Sequence, residues 1–271
     1  MKFNKIMTTM AALLVLAACD KKNTPVLGDY PKDTNPVGGP LKFYAAFDGS
    51  GTDVLRNGVD SIRANFPGSN TGAFADGITG KCYKGSETAF VKYGSPNDFT
   101  SSTNFTVAFW LKKLPQEKGK GTNFAFSLNA KDYSWTNTKM FLEFEDAGNP
   151  STTDLAACKF YLMDNWVEYT GANRMPNVLN GSWHQLVFTY SGGDSQLKAY
   201  IDGVWFKTNT VGSVGPVSFG AVDDFTIGGP NAYTHEKNTW MGFFDGQLDQ
   251  FRLYGTVLSA TDIAALYASK L

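Results

Sequence analysis

The sequence has few of the residues that carry most metal and nucleophile chemistry, with two histidines and three cysteines among 271 residues. His184 and His235 stand apart from each other and from the cysteines, so no His/Cys spacing typical of a zinc site is present. No Ser/His/Asp ordering, Walker motif or glycine-rich dinucleotide fingerprint stands out. The 24 basic residues nearly balance the 25 acidic ones, which gives no reason to expect nucleic acid or an anionic membrane surface as partner.

A hydrophobic run long enough to span a bilayer, about 20 residues, is missing as well. The apolar segment of residues 6–16 is shorter, follows a basic segment and precedes small residues, which is typical of a secretory signal peptide. Its end, Leu-Ala-Ala-Cys finishing at Cys19, resembles a bacterial lipobox. That resemblance implies that cleavage leaves a lipidated Cys19 as the first mature residue. An ordinary signal peptide with an incidental cysteine is the alternative.

The three residues that follow Cys19 carry information about where in the cell the protein is expected. Asp20, Lys21 and Lys22 resemble the sorting signals of Bacteroidetes-type lipoproteins. Several acyl chains on one cysteine hold a domain firmly to a membrane. We therefore expect an exported protein, anchored to the outer membrane through its lipid alone, and the sequence does not favour the periplasmic or the surface face.

Composition divides the chain into three parts. Residues 1–18 are the expected signal peptide, residues 19–40 a lipidated cysteine and flexible linker, and residues 41–271 one domain. The linker is rich in Pro, Gly, Asp and Lys, and such a segment buries too little apolar surface to offset its ordering entropy. In an oxidising compartment Cys82 and Cys158 either pair in a disulfide or remain two buried thiols.

Hydrophobic alternation predicts the fold class. Apolar residues recur at every second position in residues 105–111, 140–144 and 197–201, and turn residues bound these runs. Near the C-terminus, Ser259 and Asp262 form an approximate capping box ahead of an apolar helical stripe. The pattern predicts an all-β sandwich of two antiparallel sheets with one short C-terminal helix.

Four stretches extend this interpretation. They are residues 41–49, 105–112, 183–203 and 244–267, and their order and spacing run through nearly the whole mature domain. Together they resemble the LamG-like (laminin G-type) group of the concanavalin A-like lectin/glucanase superfamily. The resemblance implies a jelly roll with one concave sheet.

The resemblance also implies a metal. Proteins of this superfamily often hold one calcium ion on the side of the sandwich away from the groove. By that resemblance the candidate ligands are Asp249, Asp48 and Gly80, and a hard cation suits such oxygen donors. The alternative is a solvated Asp249 and an Asp48 that belongs to a turn.

Catalytic signals are weak. Alternation places Glu143 and Glu145 on the same side of a strand, and glycoside hydrolysis needs paired carboxylates. The superfamily's glucanases carry Glu-x-Asp-x-(x)-Glu, however, and this strand lacks that pattern. We therefore expect no catalytic residues and no enzyme, and keep a glycoside hydrolase or polysaccharide lyase as the third reading.

Binding signals are stronger. Aromatic side chains gather among amides and carboxylates in segments that resemble loops or strand ends, and flat apolar faces beside a few polar groups suit sugars. The predicted ligand contacts are Tyr133, Trp135, Trp166, Tyr233, His235 and Trp240, and Tyr169 belongs to the same group. A glycan-binding module of the cell envelope, using loops or the concave face, is the favoured function. The alternatives are that these aromatics only cover the sandwich edge, or that the partner is a surface protein in an outer-membrane uptake complex.

Overall fold

A computed structural model of the chain describes residues 39–48, 54–59, 72–116, 121–144 and 150–270. The expected signal peptide, Cys19 and the linker up to residue 38 lie outside the described residues, and so does Glu145. Within these ranges, no helix is both long enough and apolar enough to cross a membrane.

The described residues form seventeen strands and two α-helices. In chain order the strands are β1 (Leu41–Ala45), β2 (Ala73–Asp76), β3 (Lys81–Lys84), β4 (Val91–Tyr93), β5 (Phe105–Lys112), β6 (Thr122–Asn129), β7 (Met140–Phe144), β8 (Leu155–Ala156), β9 (Cys158–Leu162), β10 (Asn165–Tyr169), β11 (Met175–Pro176), β12 (Trp183–Ser191), β13 (Gln196–Ile201), β14 (Val204–Thr210), β15 (Asp224–Ile227), β16 (Met241–Phe243) and β17 (Gln247–Tyr254). The helices are α1 (Ala232–Lys237) and α2 (Ala260–Ser269).

The strands form two large sheets. Sheet 1 has the order β14-β13-β12-β5-β17-β3-β2, with β1 also paired to β17. Sheet 2 has the order β10-β9-β7-β6-β15-β4, and β16 joins β6 in a parallel pair, while β8 and β11 form a small ribbon. The predicted all-β sandwich with a C-terminal helix is confirmed. The expectation of a single helix and of antiparallel pairing alone was incomplete, because α1 and the β16–β6 pair were not foreseen.

The core between the sheets is rich in phenylalanine. Phe251 of sheet 1 packs on Phe109 of the same sheet at a ring-centroid distance of 5.2 Å. It also lies 5.4 Å from Phe126 and 5.6 Å from Phe225, both of sheet 2. All four rings are almost fully buried. Such aromatic contacts add to the gain from apolar burial, so this cluster ties one sheet to the other.

The C-terminal helix closes the outer face of sheet 1. The Ser259 side chain accepts from the Asp262 amide, and the Asp262 side chain accepts from the Ser259 amide, as a capping box requires. Ile263 is fully buried against sheet 1, and Tyr267 stacks on Trp110 at 5.4 Å. This helix therefore covers apolar surface that sheet 1 would otherwise expose.

Cys82 and Cys158 are separate buried thiols, which was one of the two alternatives. Cys82 lies on β3 of sheet 1, where burial raises the pKa of its thiol to about 12. Cys158 lies on β9 of sheet 2, with its Sγ atom 3.6 Å from the Sδ atom of Met175. Both behave as small apolar residues of the sandwich.

Candidate functional site

The outward face of sheet 2 carries a cluster of aromatic side chains. Along β7, Met140, Leu142 and Phe144 point into the core, so Phe141 points away from it. The same alternation turns Tyr161 of β9 and Trp166 of β10 outward. Loop residues complete the cluster, which we call the aromatic patch and which consists of Phe124, Trp135, Phe141, Tyr161, Trp166 and Trp240.

Trp135 is at the centre of the aromatic patch. Its ring centroid lies 6.1 Å from that of Trp166 and 5.7 Å from that of Trp240. It also lies 6.4 Å from the ring of Tyr161. The three segments that carry the predicted ligand contacts therefore meet in space, which the sequence could not establish.

The aromatic patch has a buried floor and an exposed upper layer. The floor consists of Phe124, Phe141 and Tyr161, which are fully buried, with Phe141 and Tyr161 stacked at 4.6 Å. Above it, Trp166 and Trp240 expose 38% and 37% of their surface. Large aromatic side chains that stay this exposed while packed on neighbours present fixed flat faces to a ligand.

Tyr133 and Tyr233 form a second aromatic pair beside the patch. Their ring centroids are 5.1 Å apart, and Tyr233 is 58% exposed. The Tyr133 hydroxyl donates to Asp223 at 2.7 Å, and this hydrogen bond, with burial, raises the pKa of Tyr133 to about 12. The ring contact and this hydrogen bond restrain the pair. Tyr133 lies on the loop that leads to Trp135, and Tyr233 lies on α1.

His235 and Tyr169, the remaining members of the predicted group, make their contacts within the fold. His235 packs on the Phe243 ring at 4.7 Å, and its Nδ1 atom lies 2.7 Å from the Met241 carbonyl oxygen. These contacts hold α1 against β16. Tyr169 is fully buried in the core, because on β10 it alternates with the outward-facing Trp166 and Glu168. The grouping of Tyr169 with ligand-facing aromatics was therefore wrong.

A buried polar network holds α1 on the sheet. Asp224 of β15 is fully buried and accepts from Asn129 at 2.7 Å, from Asn231 and, in an ion pair of 3.0 Å, from Lys92. Asn231 also caps α1 by accepting from the Tyr233 amide. Burial raises the pKa of Asp224, and the ion pair and amide hydrogen bonds oppose that shift. The network positions the helix that precedes Trp240, and sequence reasoning missed it.

Lys159 borders the exposed end of the aromatic patch. Its Nζ atom lies 5.5 Å from the ring centroid of Trp166 and 3.6 Å from the Glu168 carboxylate. A cation over an indole ring is favourable and restricts the ring's rotamers. Charged and aromatic groups are therefore side by side where a ligand would reach Trp166.

The predicted metal ligands also come together. The Asp48 carboxylate accepts from the Lys81 amide at 2.5 Å, and the Asp249 carboxylate accepts from the Ile78 amide at 2.8 Å. A Cβ atom on Gly80, whose φ is +59°, would collide with the Asp48 carboxylate. A Cβ atom on Gly77 would collide with Asp249 Oδ2 and lie 2.8 Å from the carbonyl oxygens of residues 79 and 81. Two carboxylates and two carbonyls thus converge on the turn 77–81.

This oxygen cluster fits calcium chemically. Burial raises the pKa of Asp249 to about 8, and the nearby negative charge of Asp48 adds to the shift. A divalent cation would favour both ionised carboxylates, and carboxylate with carbonyl oxygens is the donor set that calcium takes. The described residues contain no group of three His, Cys, Asp or Glu side chains suited to a metal, so backbone carbonyls would have to complete the coordination.

Of the two acidic residues that alternation places on one side of a strand, only Glu143 belongs to the described residues. Glu143 is 1% exposed on the outward side of β7, and Glu145 lies outside the described residues. His184 of β12 hydrogen-bonds Asp202 through Nδ1 at 2.8 Å, at the β13–β14 hairpin, and contributes to neither cluster. The carboxylate pair therefore stays a hypothesis from the sequence, because only one of its two residues is described.

A cavity of about 600 Å³ opens at one end of the sandwich. Its lining includes Lys84, Lys112 and Lys113, with Glu87 and Asp245. We call it the lysine pocket. A smaller cavity of about 180 Å³ shares Glu87 with it and also touches His235 and Thr239. The sequence predicts neither cavity, because each is lined by residues that lie far apart in the chain.

Solved structures share this fold at low sequence identity. Domain 4 of AbnA, an extracellular GH43 arabinanase from Geobacillus stearothermophilus, in complex with arabinotriose, is 20% identical with a TM-score of 0.57, covering 84% of this chain and 98% of that chain. The botulinum neurotoxin type G receptor-binding domain is 13% identical with a TM-score of 0.54, covering 86% and 52%. The binding domain of botulinum neurotoxin DC, in complex with rat synaptotagmin II, is 10% identical with a TM-score of 0.56, covering 86% and 52%. The chain thus spans about half of each neurotoxin domain, and at these identities the three show the fold alone.

Sequence comparison identifies the family. No curated protein is similar enough in sequence to count as a relative. A family model described as the concanavalin A-like lectin/glucanases superfamily matches residues 84–264, well over half of the chain. The match spans the strands that build the aromatic patch and the Asp249 strand. The chain belongs to the laminin G-type family of the concanavalin A-like lectin/glucanases superfamily.

Proposed function

We propose that this protein binds glycan on the aromatic patch. One observation carries the proposal: Trp166 and Trp240 remain more than one-third exposed while Trp135 holds them in place over a buried aromatic floor. Pyranose rings have apolar faces that stack on such surfaces. An apolar patch that is kept exposed costs solubility, and a ligand that covers it explains its presence.

Polar groups around the patch can bind sugar hydroxyls. Asn137 donates to Asp132 at 2.6 Å, and both exposed side chains belong to the loop that carries Trp135. Glu168 lies on the other side, next to Trp166. A ligand pocket usually combines apolar area with a few placed polar groups, and this arrangement fits that rule. The arabinanase domain described with arabinotriose shows that the fold accommodates a glycan, which is support at fold level only.

Single tryptophan replacements test the proposal. After a glycan-array screen of the purified full chain, Trp166→Ala and Trp240→Ala should each weaken the selected glycan about tenfold, roughly 1.4 kcal/mol, because each removes one stacking face. Isothermal titration calorimetry measures the affinities. Trp205→Ala is the matched control, since Trp205 is 57% exposed on β14 of the other sheet and should leave affinity unchanged.

Two outcomes would contradict glycan binding on the patch. A blank array from a chain that unfolds cooperatively would favour the alternative, a protein-interaction component, which pull-downs would then test. Equal losses for Trp205→Ala and Trp166→Ala would place the ligand elsewhere. We further propose binding without catalysis, and release of shorter sugars from a bound glycan on prolonged incubation would overturn that part.

We also propose that the protein works at the cell envelope as a lipoprotein. The lipobox-like segment ending at Cys19 supports this, because it places the only cysteine of the N-terminal region where lipidation occurs. Cells fed an alkyne-tagged fatty acid should label the wild-type chain, and Cys19→Ser should not be labelled. Labelling that survives the substitution would contradict Cys19 as the acylation site, and the Cys82→Ser variant controls for nonspecific thiol acylation.

The oxygen cluster at Asp48 and Asp249 is proposed to hold a structural calcium ion. Asp48 lies three residues after the end of β1, and Asp249 lies on β17, so one ion would join these segments to the turn 77–81. Its contribution would be to stability and not to the chemistry of binding.

A further inference from the structure

The lysine pocket has a geometry suited to an anion. Gln247 of β17 is paired with Lys84 of β3 on one side and with Lys112 of β5 on the other. Directly paired residues point to the same face, so the two lysines flank Gln247 on the outer face of sheet 1, with Cα atoms about 10 Å apart. A carboxylate or sulfate placed over Gln247 would meet one amide donor and two ammonium groups.

The pocket has more basic than acidic side chains in its lining. In the part of the chain that the structure describes, neither Lys84 nor Lys112 makes an ion pair, and both side chains are exposed. Lys113, which also lines the cavity, is buried, and its Nζ atom donates to the Asp245 carbonyl at 2.8 Å. Burial lowers the pKa of Lys113 to about 8, so a nearby anion would help it keep its charge. Glu87 and Asp245 also line the cavity, and three amino groups thus face two carboxylates.

The pocket continues toward the aromatic patch. The smaller cavity shares Glu87 and Gln116 with it and is also lined by Thr239, which directly precedes Trp240. Asn123 lines the smaller cavity, is 2% exposed, and its side-chain oxygen has no hydrogen-bond partner among the described residues. A buried acceptor without a partner costs about 1–3 kcal/mol, and a ligand hydroxyl would remove that cost. The two cavities thus share part of their lining, and the smaller one reaches the residue next to Trp240.

We propose that the lysine pocket is an acidic-sugar subsite, which takes the carboxylate or sulfate group of a glycan that also lies on the aromatic patch. The inference rests on the proposed glycan binding and extends it to a substrate class, acidic glycans. A neutral glycan would use the patch alone, whereas an acidic one would use both.

Matched glycans separate the two sites. The purified full chain is titrated with uronic-acid and sulfated oligosaccharides and with their carboxyl-reduced and desulfated counterparts. The acidic members should bind at least tenfold more tightly at low salt, and Lys84→Gln with Lys112→Gln should abolish that preference without changing affinity for the neutral members. The control variant, Lys198→Gln with Lys207→Gln, removes the same number of charges from β13 and β14, at the other edge of sheet 1. It should keep the preference for acidic glycans.

The outcomes distinguish this inference from the proposed function. Neutral binding that depends on Trp166, with no acidic preference in wild type or with a preference that the Lys84/Lys112 variant retains, would overturn the acidic-sugar subsite alone. If no oligosaccharide of either kind binds, the glycan proposal itself fails and the subsite with it. Inorganic sulfate is titrated in parallel by melting temperature. A sulfate response that the Lys84/Lys112 variant loses, without any acidic-glycan preference, would reassign the pocket to free anions and overturn the inference.

Discussion

Replacing Trp135 with alanine is expected to lower glycan affinity at least a hundredfold, about 2.7 kcal/mol or more. The effect should exceed that of either exposed tryptophan, because the Trp135 ring contacts both Trp166 and Trp240. Its removal takes away one stacking surface and also the side support of the other two. Residues at the centre of a binding surface typically dominate its energy in this way.

The same replacement should leave the protein folded. Trp135 is half-buried and lies on the outward face of sheet 2, not between the sheets. Its loss should therefore cost about 2 kcal/mol of unfolding free energy, less than the 3–5 kcal/mol of an aromatic residue in a closed core. Urea unfolding measures this cost, and calorimetry at a temperature where the variant is fully folded measures affinity.

A double-mutant cycle makes the test specific. Because Trp135 and Trp166 are in contact, the affinity losses of Trp135→Ala and Trp166→Ala should not add. Trp205→Ala, combined with Trp135→Ala, should add within about 0.5 kcal/mol, since Trp205 lies on the other sheet. An affinity for Trp135→Ala within threefold of wild type would show that the ligand does not use the patch.

The fold was predictable because its signal is local and repeated. Alternation in residues 105–111 and 140–144 identifies which side chains face the core, and the structure confirms this for Phe105 and Met140 alike. The capping box at Ser259 is equally local, because both partners lie within one helical turn. Helix α1 was missed because six residues carry too little periodicity to separate a helix from a loop.

The site was predictable only in part, because β-bulges change the face of the sheet to which some of its side chains point. In a regular strand Phe124 and Phe126 would share a face, but a register shift between them places Phe126 in the core and Phe124 in the aromatic patch. Another shift between Asp249 and Arg252, with Gln250 at a φ of +51°, lets Asp249 point away from the core that contains Phe251. Counted back from Phe251, alternation alone would have placed this carboxylate in the core, whereas the shift lets both Leu248 and Phe251 face the core.

Chelating calcium is expected to destabilise the wild-type chain, and Asp249→Asn should abolish the response. An ion at a concentration of about 100 times its dissociation constant contributes about 2.7 kcal/mol. For a domain of this size that shifts the melting temperature by roughly 5–10 °C. Thermal unfolding of the full chain in calcium and in chelator measures the difference, and an equal melting temperature in both would contradict a structural calcium ion.

Asp224→Asn is the matched control, because Asp224 is the other fully buried aspartate with a raised pKa. Its charge is already balanced by Lys92 and two amide donors, so it offers no place for a cation. Asp249 instead has backbone amides as its hydrogen-bond donors and a second carboxylate, that of Asp48, nearby, whose negative charge raises its pKa further. Both variants replace one buried carboxyl group by an amide, and only Asp249→Asn should lose the calcium response. A response that disappears in both would indicate general destabilisation of the sandwich and not a site at Asp249.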